Sequence, residues 1–200
     1  FGSVGFILSS YWIFQSMGLW ALLLLSPAAG ILVTILSVLL VVLVKKGLIG
    51  TFEPIVKPLW SPFVWFNEAV NGAYESVMAP MLSPMLGTPF FAFFLRLIGC
   101  KIGRGVFLET TLFSEFDLVE IGDHSSVNLG AIIQNHLFED RIMKASWIKV
   151  REQANIGNMA VVLYDSEMRS RSTLTSLSLL MKGETLHEGT CSGGIPTSKN

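Results

Sequence analysis

The feature that most constrains this 200-residue chain is a rhythm of six in its second half. Stepping by six from Val150 lands on Ile156, Val162, Met168, Leu174, Leu180 and Leu186, all aliphatic or Met. Four residues after each of the first five stand Ala154, Ala160, Ser166, Ser172 and Ser178, all small. A second run precedes it, with Ile121, Val127 and Ile133 at the large position and Ser125 and Ala131 at the small one. A third begins at Ile102 and Leu108, with Val106 and Leu112 in the smaller slot. An α-helix repeats every 3.6 residues and a strand every 2, so neither explains six. A triangular solenoid does: each side is a short strand, each corner a tight turn, and the aliphatic side chains stack about 4.8 Å apart from coil to coil. Gly103, Gly122 and Gly157 each follow an aliphatic residue directly, as tight backbone turning requires.

The rhythm breaks at two places. Ile133 and Val150 are 17 positions apart, five more than two hexads, and the excess fits the block HLFEDRIMK, His136–Lys144. A slip of one residue lies near Ser114–Phe116. A corner that throws out a polar loop while the coils continue is where a site is expected. This loop gathers His136, Glu139, Asp140, Arg141 and Lys144.

The other end of the chain obeys different rules. No Asp, Glu, Lys or Arg occurs before Lys45. Overall 14% of residues are charged, against about 25% in a typical soluble domain. As one helix, residues 1–44 would extend roughly 66 Å, twice the ~30 Å hydrocarbon core of a bilayer. Two spans joined near Ser26–Pro27 are therefore expected within residues 1–46. Lys45 and Lys46 place the following end in the cytosol by the positive-inside bias. The expectation is a multi-pass membrane protein with its solenoid on the cytosolic side.

Residues 47–100 hold six of the eight prolines, which limit helices to short pieces. Between Pro62 and Pro80 an amphipathic helix is expected, with Val64, Ala69, Ala73 and Val77 on one side and Glu68 and Glu75 elsewhere. The aromatic stretch Pro89–Gly99 carries one charge, Arg96, and is too short to span a membrane. It suits an interfacial helix, a cap on the following domain, or both. The expected organisation is two transmembrane helices in 1–46, a proline-rich interfacial helical bridge in 47–100, a β-helix in 101–197 and a tail in 198–200. The fold class is mainly β.

A net charge of −1 without a basic patch argues against nucleic-acid binding. Cys100 and Cys191 form no metal-binding spacing, so no metal site is expected. The first residue is Phe1, not Met, which suggests a piece of something longer.

The pattern [LIV]-G-x-x-[STAV]-x with an extruded His-bearing loop resembles the left-handed β-helix, or hexapeptide-repeat, acyltransferases. The blocks FLETTLFSEFDLVEIGDHSSVN, QNHLFEDRIMK, VVLYD and SLSLLMKGETL are similar to the C-terminal region of ε-poly-L-lysine synthetase-like non-ribosomal peptide synthetases. So is PLWSPFVWFNEAVNGAYESVMAPMLSPMLGTPF in the bridge. The resemblance runs from about residue 58 to 197. His124 and the terminal CSGGIPT depart from the family's pattern.

That resemblance implies a left-handed parallel β-helix preceded by membrane helices. It implies a transfer unit that joins a thioester-activated amino acid or acyl group to an amine. Adenylation and carrier domains would lie upstream, neighbouring β-helix units would pack beside it in tandem or as a trimer, and the unit alone would be inactive. The donor would be a carrier-borne phosphopantetheine thioester or a CoA thioester, with no cofactor held by these residues themselves. An imidazole titrates near neutral pH and suits the proton transfer such chemistry needs. His136 is the expected general base, with Glu139 or Asp140 orienting it. Asn128, Gln134, Asn135, Arg141 and Lys144 are the expected substrate-binding residues, Asn135 as a possible oxyanion donor. A membrane-anchored CoA-dependent acetyltransferase and a non-catalytic β-helix scaffold are the alternatives.

Overall fold

A computed structural model describes residues 2–199. Its second half is a parallel β-helix of three sheets, an arrangement that fits the left-handed hexapeptide solenoid. Val150 pairs with Met168, Ile156 with Leu174, Val162 with Leu180 and Met168 with Leu186, each eighteen positions on. Three hexads therefore make one coil, one hexad per sheet. Val150, Ile156, Val162, Met168, Leu174 and Leu180 are all within 1% of complete burial. The five small residues from Ala154 to Ser178 are buried as well.

The corners turn through left-handed backbone at a constant six-residue spacing. Gln153, Met159, Asp165, Arg171 and Leu177 have φ between 53° and 59°, followed by Gly183 and Gly189 at 75° and 67°. Most corners are therefore not glycine. The glycines that follow an aliphatic residue serve close packing of coils. A Cβ on Gly157 would lie 2.5 Å from the Ser176 nitrogen and 2.7 Å from the Thr175 carbonyl carbon. Those are backbone atoms of the next coil and cannot swing away. Gly157→Ala is expected to lower stability by about 1–3 kcal/mol, the usual cost of overpacking. Denaturant titration checks this, and an unchanged midpoint would contradict it.

Both irregularities in the rhythm have structural counterparts. Ile102 pairs with Ile121 and Leu108 with Val127, nineteen positions apart instead of eighteen. The extra residue lies near Ser114–Phe116, where Glu115 takes a φ of 37°. There Phe113 enters the core and pairs with Ile133, while Leu112, expected in the smaller slot, is exposed. Ile121 pairs with Val150, Val127 with Ile156 and Ile133 with Val162, all twenty-nine positions apart. The insertion is thus eleven residues beyond a single hexad step from Ile133 to Val150. It forms an antiparallel hairpin of His136–Glu139 and Ile142–Ala145. Asp140 and Arg141 make its tip with φ of 50° and 63°. Ile55–Pro58 of the bridge, expected to be helical, adds a third strand along Ile142–Ala145.

Helix α1 covers Gly2–Leu48, roughly 70 Å at 1.5 Å per residue. Its break is a kink at Gly18, with φ 82° and ψ 176°. The expected turn at Ser26–Pro27 does not occur: Pro27 lies within the helical run, and the two-span, multi-pass arrangement is not supported. Among the described residues one helix is long and apolar enough to cross a membrane. Lys45 is buried, and its Nζ lies 2.6 Å from Asp117 Oδ2 of the first coil.

The bridge wraps the first coils. Helix α2, Pro62–Ala73, buries Val64, Asn67, Val70 and Asn71. It runs into a π-helical turn, Tyr74–Met78, that buries Tyr74 and Met78. The buried stripe therefore differs from the expected Val64–Ala69–Ala73–Val77 face: Ala69 is exposed, and two asparagines point inward. A short turn α3, Ala79–Leu82, follows. Helix α4, Pro89–Ile98, buries Phe91, Ala92, Leu95 and Ile98 and exposes Phe90, Phe93 and Leu97. Arg96 Nε donates to the Ile102 carbonyl at 2.8 Å, so α4 caps the solenoid. At the other end, Ser198–Lys199 pairs antiparallel with Cys191–Gly193, and residues read as a tail continue the sheet.

Candidate active site

His136 opens the first hairpin strand, immediately after the sheet strand Ile132–Gln134 and the buried Asn135. Its Nδ1 lies 2.8 Å from Glu115 Oε2. Glu115 is 1% exposed, a carboxylate inside the protein. The one-residue slip and left-handed backbone turn Glu115 inward toward the hairpin root and α2. Asn71 Nδ2 donates to Glu115 Oε1 at 3.2 Å. Burial raises the carboxyl's pKa, but hydrogen bonding and charge from His136 outweigh it, so Glu115 stays below the usual carboxylate value. Burial likewise lowers the His136 pKa. The hydrogen bond and charge of Glu115, with a further push from Glu68, reverse that, and the imidazole titrates above the usual histidine value.

An ionised carboxylate only accepts hydrogen bonds, so His136 Nδ1 carries the proton. Nε2 of the neutral ring is then the basic lone pair. The imidazole lines a cleft of about 490 Å3, together with Gln134, Glu75 and the hydroxyl-bearing Thr111 and Ser114. Leu112, Phe113, Ile132, Ile133 and Ala79 supply its apolar walls. Tyr74, below the π turn, donates its hydroxyl to the Thr111 carbonyl at 2.8 Å and fixes that wall.

The expected orienting residues do not orient His136. Glu139 is paired with Lys144 at 3.2 Å and with Lys182 of a later coil, which holds the hairpin against the solenoid. Asp140 and Arg141 sit exposed at the hairpin tip. Lys144 is spent on Glu139. Asn135 is fully buried, and its Nδ2 donates to the Leu118 and Ser146 carbonyls at 3.1 and 3.2 Å. It ties the hairpin root to two coils and has no donor left for substrate. Asn128 stands on another stretch of the solenoid, donating to Asn155 Oδ1 and the Ile156 carbonyl, both at 2.7 Å. Of the expected set, His136 and Gln134 meet in the cleft. The residues not foreseen are Glu115, Asn67 and Asn71, and Glu75 on the opposite wall. The slip at Ser114–Phe116 was the one local signal of Glu115.

Fold and site together define a hexapeptide-repeat β-helix domain with a buried His–Glu pair at the head of a cleft. No protein-family model matches the chain. It is 40% identical over 159 residues to delta-poly-L-ornithine synthetase from Acinetobacter baumannii (strain AB307-0294). That match covers 79% of the chain and 12% of the relative, so the chain spans about an eighth of the relative's length. Over those 159 residues the chain is similar to one part of that synthetase. Solved structures similar to it include a hexapeptide-repeat acetyltransferase from Vibrio cholerae O1 biovar eltor, complexed with acetyl coenzyme A. The TM-score is 0.47 at 14% identity, covering 60% of this chain and 82% of that one. A maltose O-acetyltransferase from Clostridium difficile 630 gives 0.47 at 11%, covering 61% and 82%.

Proposed function

We propose that this domain catalyses acyl transfer from a thioester to an amine, with His136 as general base and Glu115 as the residue that positions it. The observation that carries this reading is the 2.8 Å contact from His136 Nδ1 to a buried carboxylate, with the imidazole lining a cleft. A neutral amine in the cleft attacks the thioester carbonyl. The C–N bond forms, the C–S bond breaks, and the amine proton passes to Nε2 and on to the departing thiolate. Glu115 keeps Nδ1 protonated and stabilises the imidazolium that forms in between. Gln134 is the side-chain amide placed to donate to the developing oxyanion.

The thioester is substrate, borne on a carrier phosphopantetheine arm or on CoA, and adenylation and carrier domains upstream would supply it. The similarity to a poly-ornithine synthetase supports an amide-forming role. The solenoid is left-handed, and further β-helix units lie beside this one. Helix α1 anchors the domain in a bilayer, with the exposed Phe90, Phe93 and Leu97 of α4 at the interface.

The test uses the natural polypeptide that carries this sequence, in bilayers, with an aminoacyl thioester and an amine. Amide formation is expected to rise with pH through a single ionisation above the usual histidine value, because His136 must lose its proton to act and Glu115 holds that proton on. Glu115→Gln removes the charge and is expected to move the rising limb to lower pH. A profile that Glu115→Gln leaves in place would count against the assignment.

A further inference from the structure

The slipped segment that carries Glu115 is also where the bridge and the apolar helix are fastened to the solenoid. Tyr74 of the π turn donates its hydroxyl to the Thr111 carbonyl at 2.8 Å. The Phe91 ring of α4 lies 6.4 Å from that of Phe113, and the Tyr74 ring meets Phe116 edge-on at 4.8 Å. Lys45 of α1 pairs with Asp117 at 2.6 Å. Within this row Asn71 of α2 makes the contact that reaches the site. Its Nδ2 donates to Glu115 Oε1 at 3.2 Å, while Glu115 Oε2 faces His136 Nδ1 at 2.8 Å. The two carboxylate oxygens are thus held from two sides, one of them outside the solenoid.

Glutamate is a long side chain with several rotatable bonds, and Glu115 springs from left-handed backbone at φ 37°. Its carboxylate plane must be fixed for Oε2 to face the imidazole. The Asn71 amide is suited to that task. Its helix is anchored by the buried Val70 and Tyr74, and Asn71 itself is 9% exposed. Its Oδ1 is buried without a hydrogen-bond partner among the described residues. An orphaned buried carbonyl costs free energy. The amide is turned so that its donor serves the carboxylate at the expense of its own acceptor. Asn71 does not line the cleft, so its influence on His136 runs through Glu115.

We propose that Asn71 is a positioning residue: through it the bridge holds the Glu115 carboxylate with Oε2 toward His136 Nδ1 and so sets the aim of the imidazole in the cleft. The proposal rests on the transfer reading for what His136 does there, but the hold on Glu115 needs no substrate.

The experiment labels His136 with diethyl pyrocarbonate across pH in the natural polypeptide, without donor or acceptor, and reads the modified peptide by mass spectrometry. The reagent acylates the neutral ring, so labelling rises as His136 loses its proton. Glu68 on α2 also acts on this imidazole, and Glu75 shares its cleft. Glu139 on the same hairpin is paired with lysines, and all three stay unchanged in every variant. Asn71→Leu keeps the volume and removes the donor. A freed Glu115 spends time turned away, so the labelling midpoint is expected to fall by about 0.5 in pH, which is about 0.7 kcal/mol. Glu115→Gln is expected to move the midpoint further in the same direction. In the Glu115→Gln background Asn71→Leu is expected to add nothing, because the two residues act as one unit. That double variant strands no carboxylate, so the comparison holds even where Asn71→Leu alone fails to fold. A merely structural Asn71 would lower the denaturation midpoint and leave the labelling profile in place. An unmoved midpoint in Asn71→Leu, or a shift of equal size in the Glu115→Gln background, would overturn the proposal. If the midpoint moves as expected but the wild type forms no amide, the transfer reading fails and the hold on Glu115 stands. If amide forms and Asn71→Leu alters neither labelling nor rate, this proposal fails and the transfer reading stands.

Discussion

His136→Gln is expected to slow amide formation by about 10²–10⁴-fold, the range attributed to a positioned general base. Gln is the informative replacement. An Ala there would leave Glu115 buried with its strongest partner gone, and the protein would respond by protonating the carboxyl or loosening the hairpin. Gln keeps a donor for Glu115 and removes the basic lone pair. Denaturation midpoints should therefore stay near wild type while the rate falls. Glu115→Gln should cost less than His136→Gln, because the base survives without its orienting charge. The double substitution should cost little more than His136→Gln alone, since groups acting as a unit are not additive. Rates for His136→Gln within a factor of about three of wild type would remove the base from the mechanism.

The depth of the solenoid was readable because its rule is local. A buried side chain every six residues is written into neighbouring positions, and each of the seven from Val150 to Leu186 is buried. The hairpin was readable as surplus length, although its eleven residues were divided wrongly between surplus and hexad. What pairs with His136 was not readable in the same way. Glu115 is 21 residues away and Asn71 is 65 away, and apart from the slip at Ser114–Phe116 nothing in the nearby sequence distinguishes Glu115 from Glu139. Proximity in sequence favoured Glu139, and the fold gave that residue to Lys144 and Lys182. Asn71 faces inward and donates to the buried Glu115 carboxylate, which needs donors, a demand set by tertiary packing alone. The turn expected at Pro27 failed for a related reason. Proline disfavours a helix interior without forbidding it, and here the break falls on Gly18, which reaches positive φ at little steric cost.

Lys45→Met is expected to destabilise the protein by about 3–5 kcal/mol, the cost of breaking a buried ion pair from one side. Lys45 and Asp117 are 5% and 15% exposed as side chains, and their 2.6 Å contact joins the end of α1 to the first coil. Asp117 Oδ2 also accepts from the Phe52 N–H at 2.8 Å. Gly99 allows the approach, since a Cβ there would lie 2.2 Å from Asp117 Oδ1 and 2.9 Å from Lys45 Nζ. Met fills the same apolar volume as the lysine stem, so the loss measures the stranded carboxylate. Adding Asp117→Asn should recover much of it, because a neutral amide is far cheaper to bury. The consequence reaches the active site, because Asp117 and Glu115 sit two residues apart on the slipped segment. One holds the apolar helix and the other holds His136. Loosening Asp117 should therefore lower the His136 pKa toward its ordinary value as Glu115 gains freedom, a shift that ring-proton NMR would register. Burial and Asp117 push the Cys100 thiol up and Lys45 pulls it down, so losing Lys45 pushes it up further, and reaction with thiol reagents in the same variant would report opening of the packing alone. A stability loss under about 1 kcal/mol, with Cys100 still protected, would mean the pair is solvated and does not couple the helix to the site.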